Sequence, residues 1–150
     1  MKPLIVLVVT FAISLVISGI TTGKWDLSFS GRVAMAVMLL FTSIGHFKFT
    51  EGMALMLPDF IPAKRETVLA TGVIEIIAAI GLFIPPLRVL TAWLLILFFV
   101  LILPANIHAA LHHVNLEKAT YDGSGINYLW FRVPLQLLFI GWVYFFVIRS

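Results

Sequence analysis

The sequence contains no cysteine. This absence excludes structural disulfides, thiol catalysis and the cysteine ligands of zinc and iron–sulfur sites. Charge is also scarce: only 11% of the 150 residues are charged, and the ten lysines and arginines are scattered, giving a net charge of +3. Because no basic block is present, nucleic-acid binding is not indicated. The chain also carries no motif for an intrinsic flavin, haem or Fe–S cluster.

Long apolar runs dominate what remains. Hydrophobic residues make up 61% of the chain and the mean hydropathy is +1.09, whereas a soluble domain is about half apolar and a quarter charged. A span across a bilayer takes about 20 apolar residues. We therefore predict an all-α integral membrane helical bundle, with residues 1–150 forming one transmembrane domain. The predicted spans are residues 3–20, 33–49, 67–87, 89–111 and 128–148.

The first predicted span follows Lys2, as the apolar stretch of a secretory signal peptide follows its basic residue. Its apolar run is longer than a typical signal-peptide core, and no A-x-A-like cleavage site follows it. We therefore expect this span to be retained.

With this number of spans, the N-terminus and the two longest loops, 50–66 and 114–127, share one side of the membrane. We call this the near side and the opposite one the far side. Six of the ten lysines and arginines fall on the near side. The positive-inside rule then favours a cytoplasmic near side.

Glu75 stands alone in the middle of the third predicted span, which reads TVLATGVIEIIAAIGLFIPPL. An ionisable group at this depth is expensive without a partner, so it is a functional-site hypothesis by default. The strongly polar residues of the neighbouring spans fall in the same half of the membrane. The candidate ligand-binding or buried polar cluster is His46, Thr71, Glu75, Asn106, His108, His112, Arg132 and Gln136.

Helical spacing groups these residues into faces. Thr71 and Glu75 share a face at i, i+4, and Gly72, Ala78 and Ala79 around them allow close helix approach. His108 with His112, and Arg132 with Gln136, repeat the same spacing.

Each candidate also has a structural interpretation. Glu75 is either a binding residue or a carboxyl that is protonated or paired with Arg132 to hold helices together. His46 is alternatively a polar group at a helix end, and Asn106 a partner for carbonyls freed at Pro104. Gln136 is the expected hydrogen-bond partner near a kink at Pro134.

The histidines raise the question of a metal or haem. His108 and His112 have a metal-compatible spacing, but the glutamate of an H-E-x-x-H motif is missing, so we predict no metal site. Haem ligation by His46 and His108 requires facing helices at one depth and is disfavoured. No catalytic residue can be assigned.

The order of several short motifs resembles the DoxX-like superfamily of small integral membrane proteins (the DoxX/DoxD family). The resemblance spans about Arg32 to Ile148, and the family pattern is usually described with four spans. It rests on Gly45-His46-Phe47, Leu57-Pro58-Asp59-Phe60-Ile61-Pro62, Thr71-Gly72-Val73-Ile74-Glu75, Leu82-Phe83-Ile84-Pro85 with Arg88, and Pro104-Ala105-Asn106-Ile107.

The resemblance implies a four-helix DoxX-like core, to which the first span is an added helix, in a bacterial inner (cytoplasmic) membrane. Some members are subunits of thiosulfate:quinone oxidoreductase, and a eukaryotic branch contains a receptor-assembly chaperone. The positions that carry over are His46, Gly72, Glu75, Pro104 and Asn106.

Two functions from different classes follow. The first is binding of a quinone or lipid-like ligand in an intramembrane polar pocket, as the membrane subunit of a redox system with a redox partner protein. The second is a non-enzymatic assembly factor or chaperone, whose buried polar residues are structural and whose partner is a client membrane protein. The lipid bilayer is a partner in both, small-residue faces favour a homo-oligomer, and enzymatic activity is left undecided.

Overall fold

The protein is all-helical in the residues described by the computed structural model, which are 2–115, 117–123 and 125–149. A 3₁₀ turn at Pro85–Leu87 precedes α5, another at Gly125–Tyr128 precedes α7, and a π-helical segment, Tyr144–Ile148, continues α7. The helices are α1 (Lys2–Thr22), α2 (Leu27–Lys48), α3 (Thr50–Met56), α4 (Lys64–Gly81), α5 (Arg88–Leu101), α6 (Leu103–Leu111) and α7 (Leu129–Val143).

Four helical stretches are long and apolar enough to cross a membrane: Lys2–Thr22, Leu27–Lys48, Pro85–Leu111 and Gly125–Ile148. They correspond to the first, second, fourth and fifth predicted spans. The third predicted span corresponds to α4, whose 18 residues include Lys64, Arg65 and Glu66 in the first turn and Glu75 further on. The five-span count therefore stays a prediction.

Helix α2 is the centre of the bundle, because α1, α4 and α7 all pack on it. Its inner face is lined by Ala34, Met35 and Leu39, none of which has any exposed surface. Helix α5 packs on α7 through Phe99 and Phe139, whose ring centroids are 5.7 Å apart. The packing of these buried apolar side chains holds the helices together. It therefore also sets the positions of the helix ends and of the polar residues near them.

The opposite faces of the helices are apolar and open. Ile13 on α1 is 55% exposed, Ile77 on α4 is 63% exposed and Leu101 on α5 is 65% exposed. Large exposed apolar side chains on several helices are unusual for a soluble monomer, whose apolar patches are small. Lipid chains are the natural contact for such a surface.

The fourth predicted span is broken at Ile102, where α5 ends and α6 begins. Pro104 has no amide hydrogen, so the carbonyl of Val100 cannot receive its helical hydrogen bond. In a continuous helix the carbonyl of Phe99 accepts the amide of Leu103; here it accepts Gln136 Nε2 of α7 at 2.8 Å. Gln136 thus donates to a carbonyl beside the helix break before Pro104. The sequence instead predicted that Gln136 would be the hydrogen-bond partner near a kink at Pro134 of its own helix.

Replacing Gln136 by leucine is expected to lower the free energy of unfolding by about 1–3 kcal/mol, because the Phe99 carbonyl is then buried without this donor. Unfolding in detergent, followed by circular dichroism, measures the change. Leu138→Ala on the exposed face of α7 is the control and should change little. A Gln136→Leu protein as stable as the wild type would contradict the structural role of this amide.

Candidate functional site

His46 and Glu75 meet where the end of α2 passes the middle of α4. His46 Nε2 lies 3.3 Å from Glu75 Oε2, and the two side chains are only 16% and 6% exposed. The contact depends on Gly72, because a Cβ there would lie 2.9 Å from His46 Cβ and 3.3 Å from Phe47 Cζ. The small residues predicted to allow close helix approach therefore do so at Gly72.

The other ring nitrogen of His46 is held by the first turns of α4. Nδ1 lies 3.1 Å from the Val68 carbonyl oxygen and 3.0 Å from Thr71 Oγ1. Thr71 Oγ1 also donates to the Val68 carbonyl oxygen at 2.7 Å. These contacts fix the orientation of the imidazole and aim Nε2 at Glu75.

The two facing atoms, His46 Nε2 and Glu75 Oε2, can carry one proton between them. An imidazole nitrogen is a donor when protonated and an acceptor when not, and a carboxyl group behaves in the opposite sense. The approach of Nε2 to Oε2 is therefore favourable either as N–H against a carboxylate or as bare nitrogen against a carboxylic acid. The arrangement can hold a proton inside the bundle on either residue.

Glu75 keeps unused hydrogen-bonding capacity. Its Oε2 is buried and has no hydrogen bond within the described part of the chain, since the His46 contact lacks the geometry of one. The partner suggested by the sequence was Arg132, but among the described ion pairs Glu75 is matched with His46. Arg132 Nε is itself buried without a hydrogen-bond partner.

Helix α6 contributes two further unpaired polar atoms. Asn106 is 2% exposed, and its Nδ2 makes no hydrogen bond to any described residue. His108 Nδ1 is likewise buried and unpaired. Asn106 therefore does not donate to the carbonyls freed at Pro104, which was its alternative role.

These atoms lie at similar depth. Asn106, His108 and Arg132 are within about 8 Å of the near-side ends of their helices at 1.5 Å per residue. Glu75 is further along α4, but helical side chains point back towards the N-terminus of their helix, which for α4 is the near side. Its contact with His46, two residues before the end of α2, fixes the level of the carboxyl group.

His108 and His112 stack on each other, with ring centroids 4.1 Å apart and planes inclined by 27°. His112 Nδ1 is 2.9 Å from the His108 carbonyl oxygen, so the exposed His112 caps the end of α6. Within the described ranges, no group of three or more His, Cys, Asp or Glu residues is arranged to hold a metal ion.

The loop before α4 also approaches these histidines. The hydrogen bond from Lys64 Nζ to Asp59 Oδ1, 3.2 Å long, and the charge of Lys64 hold the pKa of Asp59 below its usual range. His108 and His112 act on this pKa in the same direction with smaller effect. Asp59 was absent from the cluster predicted from the sequence.

A protein-family model described as a domain of unknown function (DUF8561) matches residues 35–147, which is most of the chain. The chain belongs to this family. No curated protein and no solved structure matches it. All eight candidate residues lie in the DUF8561 region, whereas α1 lies outside it.

The site also includes groups that are not among the eight candidate residues. The Val68 carbonyl is the clearest, because a backbone acceptor has no residue-type signal. Gly72 carried a signal, since a glycine one helical turn from a buried carboxylate favours close approach by another helix.

Proposed function

We propose that this protein binds the polar head group of a quinone or a similar isoprenoid lipid inside the membrane, as the membrane subunit of a redox system. One observation carries the proposal: Glu75 Oε2, Asn106 Nδ2, His108 Nδ1 and Arg132 Nε are all buried without hydrogen-bond partners in the described structure. Buried polar groups in native proteins are normally satisfied, so a cluster of exceptions suggests a missing partner.

The chemistry of these atoms suits a quinone. Asn106 Nδ2 and Arg132 Nε are donors, and the head group of a quinone presents two carbonyl acceptors. Its reduction to the quinol takes up two electrons and two protons. In this proposal the His46–Glu75 pair passes the two protons one at a time from the near-side solvent, and the two electrons come from a partner protein.

The DoxX-like resemblance supports the same function, because some members of that superfamily are subunits of a quinone-reducing enzyme. The positions that carry the resemblance, His46, Gly72, Glu75 and Asn106, form or adjoin the buried cluster. We propose the bacterial inner membrane as the location on the same basis.

Native mass spectrometry of gently purified protein, supplied with a benzoquinone bearing a short isoprenoid tail, tests this function. We expect one bound quinone in the wild type and a fall in affinity of about tenfold or more in Asn106→Leu, the scale of one lost hydrogen bond in a dry site. Glu75→Leu should lose binding as well, and Glu75→Gln should lose less.

Ser43→Ala is the matched control, because Ser43 is a buried polar residue of α2 whose hydroxyl is already satisfied by the Leu40 carbonyl at 2.7 Å. It should bind quinone as the wild type does. Equal quinone binding in wild type, Asn106→Leu and Glu75→Leu would overturn the proposal.

The second candidate function is a non-enzymatic assembly factor whose polar residues are structural. It is favoured by the mutual satisfaction of His46, Thr71 and the Val68 carbonyl, which closes this part of the cluster on itself. If the protein is such an assembly factor, Glu75→Leu changes its stability, but the wild type and the variant carry the same co-purifying lipids.

A further inference from the structure

The far end of the bundle carries an uncompensated positive charge. Its described charged residues are the cations Lys24, Arg32, Arg88 and Arg149 and the single acid Asp26. The ion pairs among the described residues all belong to the near half: Lys2–Glu117, His46–Glu75, Lys64–Asp59 and Arg65–Glu51. None of the far-end cations therefore has a described carboxylate within salt-bridge distance.

Arg32 is the most enclosed of these cations. It lies in the second turn of α2, is partly buried, and its Nε is shielded from solvent without a hydrogen-bond partner in the described chain. The guanidinium carbon lies 6.0 Å from the centre of the Phe29 ring. Phe29 in turn contacts Phe83 with ring centroids 6.3 Å apart, which places the α4–α5 turn beside the start of α2.

Arg88, the first residue of α5, is held at the same place. Its Nε donates to the Leu82 carbonyl oxygen at 3.3 Å, which leaves the two terminal nitrogens of its guanidinium to point elsewhere. Asp26 is occupied as the cap of α2, where its Oδ1 accepts the Phe29 amide at 3.0 Å.

Two arginines at the same end of the bundle, one with a buried donor that has no hydrogen-bond partner in the described chain, suit the binding of an anion. Guanidinium groups bind phosphate through two parallel hydrogen bonds, and such charge-assisted bonds are stronger than neutral ones. The surface around Arg88 is apolar and open, with Phe83 42% and Leu90 58% exposed. An acyl chain lying on this surface would bring its phosphate to the arginines.

We propose that Arg32 and Arg88 bind the phosphate of an anionic phospholipid in the far leaflet. The site is distinct from the buried cluster near His46, since it lies at the other end of α2. It uses one residue outside the DUF8561 region, Arg32, and one inside it, Arg88.

Native mass spectrometry in detergent with equal amounts of phosphatidylglycerol and phosphatidylcholine tests the site. The wild type should retain phosphatidylglycerol in preference. Arg32→Gln and Arg88→Gln should each reduce this preference about tenfold, the scale of one lost hydrogen bond between charged groups. Arg88→Lys keeps the charge but not the paired donors, and should fall between Arg88→Gln and the wild type.

Arg149→Gln is the matched control, because it removes the same charge at the same end of the bundle. Its guanidinium lies 5.6 Å from the Phe145 ring, away from the arginine pair, and the lipid preference should persist. Equal retention in wild type, Arg32→Gln and Arg88→Gln overturns the proposal, as does equal loss in Arg149→Gln. If Arg32→Gln fails to fold, Arg88→Gln alone tests the proposal. Arg88 is the first residue of α5, so its replacement is expected to leave the bundle folded.

An excess of inorganic phosphate separates the two sources of this anion. A lipid site keeps its phosphatidylglycerol under these conditions. Displacement of the lipid, together with a phosphate-dependent rise in the melting temperature of the wild type but not of Arg88→Gln, would instead assign the arginine pair to a soluble phosphate.

Discussion

His46→Leu is expected to lower the free energy of unfolding by about 3 kcal/mol or more, because removing one member of a buried polar pair strands the other. The Glu75 side chain is 6% exposed and has His46 as its near partner, so it would be left in an apolar interior. The Val68 carbonyl and Thr71 lose a contact as well. Chemical or thermal unfolding in detergent measures the loss.

A double-mutant cycle separates the pair from its surroundings. The double variant His46→Leu with Glu75→Leu should be less destabilised than the sum of the two single variants, because no stranded carboxyl group remains. A coupling of about 1–3 kcal/mol is expected for residues in direct contact. Additive single effects would show that the 3.3 Å contact is not an energetic pair.

His112→Leu is the control for the same change of side chain. His112 is exposed and bonds only to its own helix, through the His108 carbonyl, among the contacts described. Substitutions at such surface positions change stability by about 0.5 kcal/mol or less. A large loss in His112→Leu would mean that the stacked histidines, and not the His46–Glu75 pair, hold the near end together.

Gly31→Ala is expected to destabilise the bundle by about 1–3 kcal/mol, because overpacking a close helix contact forces the backbone to move. An added Cβ would lie 2.4 Å from Phe146 Cγ and 2.6 Å from Phe146 Cβ. These atoms lie at the base of the side chain, so no rotation of the ring relieves the clash. Trp142 also binds here, donating Nε1–H to the Gly31 carbonyl oxygen at 3.0 Å.

Gly141→Ala offers the opposite result from the same substitution. Among the described residues, and apart from its chain neighbours and the backbone of its own helix, no atom lies within 4 Å of a Cβ built at Gly141. In a helix, alanine is more favourable than glycine by about 1 kcal/mol, so the Gly141→Ala variant should be as stable as the wild type or more stable. Melting temperatures of the two variants, measured in one detergent, check both; equal behaviour would contradict the close approach at Gly31.

The four stretches long and apolar enough to cross a membrane could be predicted, because apolar length is a property of the chain itself, whereas α3 lies in the segment 50–66 that was predicted as a loop. The small residues on α4 likewise indicated a close contact, which occurs at Gly72. The rotation of one helix about its axis relative to another was not predictable. For this reason the sequence suggested Arg132 for Glu75, whereas the structure pairs Glu75 with His46.

The hydrogen-bonding roles of the side-chain amides of Asn106 and Gln136 differ from the sequence-based expectation for a related reason. Pro104 signals a break, but which side chain reaches the freed carbonyl depends on the neighbouring helix. Gln136 on α7 does so at Phe99, whereas the amide nitrogen of Asn106, the nearer residue in sequence, has no hydrogen-bond partner among the described residues. The near-side cluster is therefore less satisfied than its sequence suggested, and that deficit is the basis for a ligand there.

The interruption at Ile102 divides the fourth predicted span into two separate helices, α5 and α6. Helix α5 buries Ala92, Leu95 and Phe99, and the shorter α6, which carries Asn106 and His108, buries Ala109 and Ala110. Tilting α6 costs fewer backbone hydrogen bonds than bending an intact helix, since Pro104 has already removed one. We therefore expect Asn106 and His108, which share this short helix, to shift together as one unit when α6 changes its angle to α5.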